Sequence, residues 1–251
     1  MMAPFSLSFS RHETSTMARV ADSRSVANKV RRQVTRSRDR FWRVEDFDGG
    51  AHAVDAALRR LATDGDLARV RRGVYWRGSR TRFGMTAASS VRAVREILGG
   101  REAVGAAESS AANLLGLSTQ VSPVPVIAVS RRAPTGLADI RLVNRASRTA
   151  RREVGLNDLE VTILEALEGW DKYVEVDAAT ATDRFVSALG RSDVRIDRLV
   201  SASRTESPRV RERLRFILGE AGRPMDAARI EGARSRTARD QALSVVGGHS
   251  S

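Results

Sequence analysis

The stretch from Ala51 to Arg77 constrains the fold more than any other part of this 251-residue chain. Its first half has apolar residues one, three and four positions apart, and Asp64-Gly65 follows them. This spacing predicts a helix with one apolar face, which ends where glycine accepts the left-handed backbone of a C-terminal cap. The segments 67–71 and 74–77 have strand character and are joined by Arg72-Gly73, which predicts a hairpin. A helix followed by a basic hairpin is typical of a winged helix-turn-helix, in which the helix enters the major groove and the hairpin touches the DNA backbone.

The segment before this stretch predicts the other elements of the same domain. Val26, Val30 and Val34 recur every four residues, which predicts a first helix over residues 25–39. The segment 41–44 fits either a short strand or a turn, and Glu45 begins a short second helix. We interpret the aromatic residues here as core rather than as platforms for base stacking. The expected core consists of Phe41, Trp42, Phe47, Leu58, Leu61, Leu67, Val70, Val74 and Tyr75.

The distribution of charge favours a polyanionic partner. The chain carries 43 basic and 30 acidic side chains, a net charge of +13. Residues 1–82 hold 18 basic and 9 acidic side chains, so this first third supplies +9 of the excess. A GC-rich genome would also enrich arginine, but it would not concentrate the charge. A localised positive field attracts nucleic acid. The alternative that the sequence leaves open is a merely solvated basic surface.

Several classes of protein are excluded by composition. The chain has no cysteine, so it has neither disulfides nor thiolate metal sites. Its three histidines, at positions 12, 52 and 249, cannot form a dense zinc site. No apolar run approaches the length of a membrane span, and the first residues lack the features of a signal peptide. We therefore expect a cytoplasmic protein with no membrane contact, no metal and no cofactor.

Two separated motifs resemble the AbiEi-type antitoxins and related bacterial regulators. The first is EDF followed by AVDAALRRLATDGDLARVRRGVYW, which matches the N-terminal winged helix of that family. The second is a small-residue helix over Ala106–Ala112 that leads into LGLSTQ at residues 115–120. Two strands, Val124–Val129 and Ile140–Asn144, follow it, joined by a turn at residues 133–136. Two matches in the same order are harder to produce by chance than one.

This resemblance implies a repressor of its own operon that is also the antitoxin of a type IV toxin–antitoxin system. The partner it implies is a nucleotidyltransferase-type toxin. The family leaves open whether the C-terminal region opposes that toxin through a direct complex.

Several further helices are predicted after the first 82 residues. Residues 87–98 form one helix, and Asn157 with Glu160 fits an N-terminal capping arrangement for another. Further helices are expected over residues 177–189, from Val194 onward, and from Pro208, which sits in a first turn. The polar residues Asn113, Ser118, Thr119 and Gln120 are interpreted as capping and turn residues, with a ligand or partner contact as the alternative.

The predicted fold class is α+β. It comprises an N-terminal winged helix-turn-helix, a mixed α/β central region and a mainly helical C-terminal region. We expect residues 1–22 to be disordered, residues 23–82 to form the DNA-binding domain, residues 83–240 to form an antitoxin or effector domain, and residues 241–251 to be a mobile tail.

No catalytic motif stands out. Walker loops, GxGxxG, HExxH and GxSxG are absent, and no Asp is followed by the Glu-x-Lys of many nucleases. His52 has no evident partner for acid–base chemistry. We therefore expect no enzymatic activity, and a nuclease-like enzyme is the least favoured alternative. The other alternative is a protein- or RNA-binding adaptor without operator specificity.

The sequence predicts which side chains would contact double-stranded DNA. Cations of the first helix and the hairpin would hold phosphates, whereas the helix 51–63 would present His52, Asp55, Ala56 and Arg59 to base edges. A single small module reads few base pairs, so we expect two copies to bind operator repeats in the promoter of the gene itself. The predicted DNA-binding residues are Lys29, Arg31, Arg32, Arg36, His52, Asp55, Arg59, Arg60, Arg69, Arg71, Arg72 and Arg77.

Overall fold

The chain divides into two compact units, the first ending at Ala88 and the second beginning at Ser89. The computed structural model describes residues 11–100, 102–134, 137 and 139–246, with the backbone alone for residues 11–23. Both units mix helices with small sheets, which is compatible with the predicted α+β class. The expected boundary between residues 82 and 83 falls inside a short hairpin of the first unit, so it is placed too early.

The first unit combines a pair of helices with a small antiparallel sheet. Its described elements are α1 (Arg11–Arg36), β1 (Arg40–Trp42), a 3-10 turn (Val44–Asp46), α2 (Ala51–Thr63), β2 (Ala68–Arg71), β3 (Val74–Arg77), β4 (Arg80–Thr81) and β5 (Gly84–Met85). The sheet has the order β1-β3-β2, and both pairings are antiparallel. α2 and the β2–β3 hairpin match the sequence prediction, β1 shows that the segment after α1 is a strand, and the expected short second helix is the 3-10 turn.

Helix α1 differs from its prediction at both ends. It begins at Arg11, so the expectation of disorder is wrong for residues 11–22, whereas residues 1–10 lie outside the described residues. Residues 11–36 contain neither proline nor glycine, so nothing in the backbone chemistry interrupts the helix. The helix ends at Arg36 rather than at residue 39, because Asp39 takes a φ of 52° as the chain reverses into β1.

The core of the first unit lies between the two helices and β3. Val26, Val30 and Val34 of α1 are buried against Val54 and Leu58 of α2, which confirms the four-residue repeat. Most of the expected core is buried, namely Trp42, Leu58, Leu61, Leu67, Val74 and Tyr75, while Phe41, Phe47 and Val70 are partly exposed. Trp76, which was not among the expected core residues, is also buried. The interpretation of the Trp and Tyr residues as core is therefore confirmed.

The second unit wraps helices around a small mixed sheet. Its described elements are α3 (Ser90–Leu98), β6 (Val104–Ala106), α4 (Glu108–Leu114), β7 (Val126–Val129), β8 (Arg141–Asn144), α5 (Thr149–Glu153), α6 (Asp158–Glu168), α7 (Trp170–Tyr173), α8 (Ala178–Leu189), α9 (Ile196–Ala202), α10 (Pro208–Glu220), α11 (Pro224–Ala228) and α12 (Arg236–Leu243). The sheet order is β6-β7-β8, and β7 pairs with β8 in parallel. The prediction that a simple turn at residues 133–136 joins these two strands is therefore wrong, because parallel strands need a crossover connection. Thr135 and Gly136 of the connecting segment lie outside the described residues.

Several helix starts in the second unit follow the sequence signals. The Asn157 side chain accepts a hydrogen bond from the Glu160 amide at 2.9 Å, and the Glu160 carboxylate accepts one from the Asn157 amide at 2.8 Å. Asp177 caps α8, and Pro208 opens α10. Capping groups satisfy amide donors that the first helical turn cannot pair internally. These predictions are confirmed.

A chain of buried ion pairs crosses the second unit. The guanidinium of Arg151 donates two hydrogen bonds to Glu206, at 2.7 and 2.8 Å, and one to Glu165 at 2.6 Å. Arg145 binds the same Glu165 with two hydrogen bonds of 2.8 Å. Arg151, Glu165 and Glu206 are buried. Removing Arg151 would leave Glu165 with Arg145 and Glu206 with Arg148 as their remaining partners, so two interior charges would lose part of their compensation and the unit would be destabilised.

The end of the described chain is packed rather than mobile. Ala242 and Val246 are buried, and the carbonyl of Ala242 accepts a hydrogen bond of 2.9 Å from Arg213. The expected mobile tail is therefore wrong for residues 241–246, and residues 247–251 lie outside the described residues. In the part of the chain that the structure describes, no helix has the length and apolar character needed to cross a membrane.

Candidate nucleic-acid interface

Helix α2 separates its residues into a buried and an exposed face. Val54, Ala57, Leu58 and Leu61 are buried, as the apolar spacing predicted. The opposite face exposes the predicted site residues His52, Arg59 and Arg60, with Ala56 beside them. Arg60 forms no salt bridge with any carboxylate of the described chain. This face of α2 is therefore available to a partner.

The predicted cations of α1 lie on the side of the helix opposite its valines. Lys29, Arg32 and Arg36 are exposed, and none of them is paired with a described carboxylate. Arg31 is different, because its guanidinium lies 3.5 Å from the Asp66 carboxylate. Three of the four predicted α1 cations thus lack a carboxylate partner among the described residues, and the fourth is partly engaged inside the unit.

A groove of about 630 Å³ runs between α1 and α2. Arg24 and Asn28 line it from α1, and His52 and Arg60 line it from α2. Among the residues whose side chains the structure describes, alanines form the rest of its lining and no acidic side chain takes part. Small side chains leave the groove open, while the polar and cationic ones make it suitable for an anionic group. Arg24 was not among the predicted site residues.

The β2–β3 hairpin carries the remaining predicted cations. Arg69, Arg71 and Arg72 are exposed, and they form no salt bridge with a described carboxylate. The 22 residues from Leu67 to Ala88 contain six arginines and no acidic residue. At Arg69, Arg71 and Arg72 the hairpin therefore presents positive charge that no described carboxylate neutralises.

Arg77 does not belong to this exposed set, so its prediction as a DNA contact is wrong. Its side chain is only 11% exposed, and it donates a hydrogen bond of 2.8 Å to the carbonyl of Asp66. The Asp66 carboxylate also binds Arg80 at 2.6 Å. The physical reason is that β3 is the central strand of its sheet and is buried along its whole length. Alternation between exposed and buried positions, which holds for a strand with one solvated face, does not apply there.

Asp55 is engaged within α2 rather than free. Its carboxylate accepts a hydrogen bond of 2.6 Å from Arg59, one helical turn further on. Burial raises the pKa of Tyr75, and the neighbouring Asp55 charge raises it further, while Arg69 and Arg59 lower it. A carboxylate in this position orients Arg59 and would repel a phosphate, so the prediction that Asp55 itself contacts DNA is not supported.

The polar side chains after α4 form hydrogen bonds within the turn and with Glu175. The Glu175 carboxylate accepts hydrogen bonds from the Ser118 hydroxyl at 2.8 Å and from the Thr119 amide at 3.1 Å. The Ser118 hydroxyl in turn accepts one of 3.0 Å from the Gln120 amide. These contacts lower the pKa of Glu175, the bond from Ser118 most. The capping and turn interpretation of this segment is confirmed.

Comparison with known proteins assigns no family. No protein-family model matches the chain, and no curated protein matches it. Among solved structures, the chain is similar to the RV2827C protein from Mycobacterium tuberculosis, with 18% sequence identity over 83% of each chain and a TM-score of 0.47.

Proposed function

We propose that the first unit is a winged helix-turn-helix domain that binds double-stranded DNA. In this assignment α2 is the recognition helix and the β2–β3 hairpin is the wing. The observation that carries the proposal is that seven of the predicted contact residues are exposed cations without a described carboxylate partner. They are Lys29, Arg32, Arg36, Arg60, Arg69, Arg71 and Arg72.

The proposed mechanism divides these side chains by task. Lys29, Arg32 and Arg36 of α1 and the arginines of the wing hold phosphates and fix the position of the domain, without reading sequence. Arg59 and His52 reach base edges from α2, and a guanidinium held in one orientation suits the two acceptors of guanine in the major groove. The pairing of Arg59 with Asp55 supplies that orientation.

We further propose that the protein represses its own operon and acts as the antitoxin of a type IV system. The resemblance of residues 45–76 and 106–120 to the AbiEi-type antitoxins supports this role. The second unit would then oppose a nucleotidyltransferase-type toxin. One small domain contacts few base pairs, so two copies on neighbouring operator repeats would provide the needed specificity.

Two experiments test these proposals separately. A footprint of the full chain on the duplex upstream of its own gene should protect repeated half-sites, and a reporter driven by that duplex should be repressed. Protection without repeats, or no repression, would contradict the repressor role. Co-expression with a nucleotidyltransferase encoded beside the gene should restore growth, and unchanged toxicity would contradict the antitoxin role alone.

A further inference from the structure

A second hairpin follows the wing, and its base is rigidly held. β4 and β5 pair in antiparallel fashion, and Thr86 accepts a hydrogen bond of 2.8 Å from the Trp76 indole through its carbonyl. The amide of Ser79 donates to the Thr86 hydroxyl at 2.9 Å. A Cβ added at Gly78 would lie 2.0 Å from the Thr86 carbonyl, so only glycine allows the two arms to approach this closely. These contacts therefore hold the base of the hairpin in one orientation relative to β3.

The tip of this hairpin is also fixed, and it points an aromatic ring into solvent. The Thr81 hydroxyl donates to the Gly84 carbonyl at 2.9 Å and accepts from the Phe83 amide at 3.2 Å. Gly84 has a φ of 110°, which a residue with a side chain rarely adopts. Phe83 is 85% exposed, and the guanidinium of Arg82 lies 4.6 Å from the centre of its ring.

The charge around the tip indicates what kind of partner it suits. Arg80 anchors the hairpin to Asp66, whereas Arg82 has no carboxylate partner in the described chain. Neither the wing nor this hairpin contains an acidic residue between Leu67 and Ala88. A single exposed apolar residue is common on protein surfaces. A locked turn that holds a phenyl ring beside Arg82, a cation without a described carboxylate partner, is suited to a polyanion that has an apolar interior.

We propose that the β4–β5 hairpin is a second DNA-contacting element, in which Phe83 is a wedge for the minor groove and Arg82 binds an adjacent phosphate. The proposal rests on the assignment of the first unit as a DNA-binding domain. Proteins that bend DNA insert apolar side chains between base pairs from the minor groove and kink the duplex. Asp66 connects the hairpin to α1 through Arg31 and to β3 through Arg77, so the wedge and the phosphate-holding cations share one framework.

The test uses the full chain and a duplex from the region upstream of its own gene, labelled at both ends for energy transfer. Wild-type protein should shorten the end-to-end distance, and Phe83→Ala should remove that change and weaken binding about tenfold, the size expected for loss of one base–aromatic contact. Met225→Ala is the matched control, because Met225 is 80% exposed but lies in the second unit. It should leave both signals unchanged.

The outcomes separate this inference from the proposed function. If wild-type protein binds the duplex and Phe83→Ala binds and bends it equally well, the hairpin proposal is wrong and the DNA-binding assignment stands. If wild-type protein binds no duplex, both are wrong. Circular dichroism should show an unchanged melting temperature for Phe83→Ala.

As a second variant, Arg82→Ala should lower the salt dependence of binding by about one released counterion, and an unchanged dependence would contradict the phosphate contact.

Discussion

The carboxylate of Asp55 lies 2.6 Å from the guanidinium of Arg59, one turn further along the exposed face of α2. Such a pair on a helix surface contributes only about 0.3–0.5 kcal/mol to stability. If α2 reads DNA as proposed, the consequence for recognition is larger, because the pair limits the directions in which the Arg59 guanidinium can point. Under the proposed function, Asp55 therefore acts on DNA through Arg59 rather than by direct contact.

Asp55→Asn should relax sequence preference while raising general affinity for DNA. The change removes a negative charge from the interface and releases Arg59 from its fixed orientation. Binding curves on an upstream duplex and on a random duplex should converge. Asp64→Asn is the matched control, since it removes the same charge at the exposed end of the same helix without a tie to Arg59. Convergence in both variants would show that charge alone is responsible.

Arg59→Ala should lower the preference for the upstream duplex over a random one, by a factor that corresponds to about 1–3 kcal/mol. The reason is that Arg59 is assigned to base edges. Competition binding between the two duplexes measures this preference. An unchanged preference would mean that the assigned face of α2 does not read sequence.

The double variant Arg71→Ala, Arg72→Ala should weaken binding to all duplexes by similar factors. Both arginines belong to the wing, where they are assigned to phosphates. The slope of log K against log salt should therefore become less negative by about 1.8, which corresponds to two phosphate contacts. Anisotropy titrations at several salt concentrations give this slope. A loss confined to one sequence would instead place the wing at base edges.

Arg77→Met should destabilise the first unit without changing how the folded protein binds DNA. Its guanidinium donates to the Asp66 carbonyl and is buried, so its removal leaves an interior acceptor unsatisfied at a cost of about 1–3 kcal/mol. Hydrogen exchange of the β2–β3 segment should become faster. Arg72→Met, at an exposed position, is the control and should leave exchange unchanged. Equal protection in both variants would contradict the structural role of Arg77.

The buried ion pairs of the second unit should make its free energy of unfolding depend on pH in the acidic range. Burial alone would raise the pKa of Glu165, but hydrogen bonds from Arg145 and the charge of Arg151 lower it below the ordinary value of 4.5. A lowered folded-state pKa gives a stabilisation that is present above about pH 4.5 and is lost as the pH falls through the folded-state value. Urea unfolding at neutral and acidic pH measures this loss.

Arg151→Met should remove part of that pH dependence and cost up to about 3 kcal/mol at neutral pH, because the buried Glu165 and Glu206 keep only Arg145 and Arg148 as partners. Arg204→Met is the control, since Arg204 pairs with Glu153 at the surface. If Arg151→Met were as stable as Arg204→Met at neutral pH, the network would not be a structural requirement.

Local signals in the sequence predicted the elements that local chemistry determines. The repeat of Val26, Val30 and Val34, the helix Ala51–Thr63 and the Asn157 cap depend on neighbours within a few residues, and all are present in the structure. The parallel pairing of β7 with β8 joins two consecutive strands, and no local pattern specifies whether such strands pair in parallel or antiparallel fashion.

For the candidate site, too, local sequence signals predicted only part of the arrangement. Exposed cations such as Arg71 and Arg72 were predictable, because a hairpin turn projects its side chains into solvent. The burial of Arg77 was not predictable, since it depends on which strand is central and on its contact with Asp66. The second hairpin was missed although the pattern RTRFG at residues 80–84 places a glycine and an aromatic residue between cations.

The salt dependence of DNA binding tests the central claim most directly. Affinity of the full chain for the upstream duplex and for a random duplex should be measured from about 50 to about 200 mM salt. If the seven predicted contact cations that lack a described carboxylate partner each neutralise a phosphate, log K should fall linearly with log salt with a slope of about −6, and the upstream duplex should bind more tightly throughout. A slope near zero, or equal affinity for both duplexes and for an unrelated polyanion such as heparin, would contradict the account.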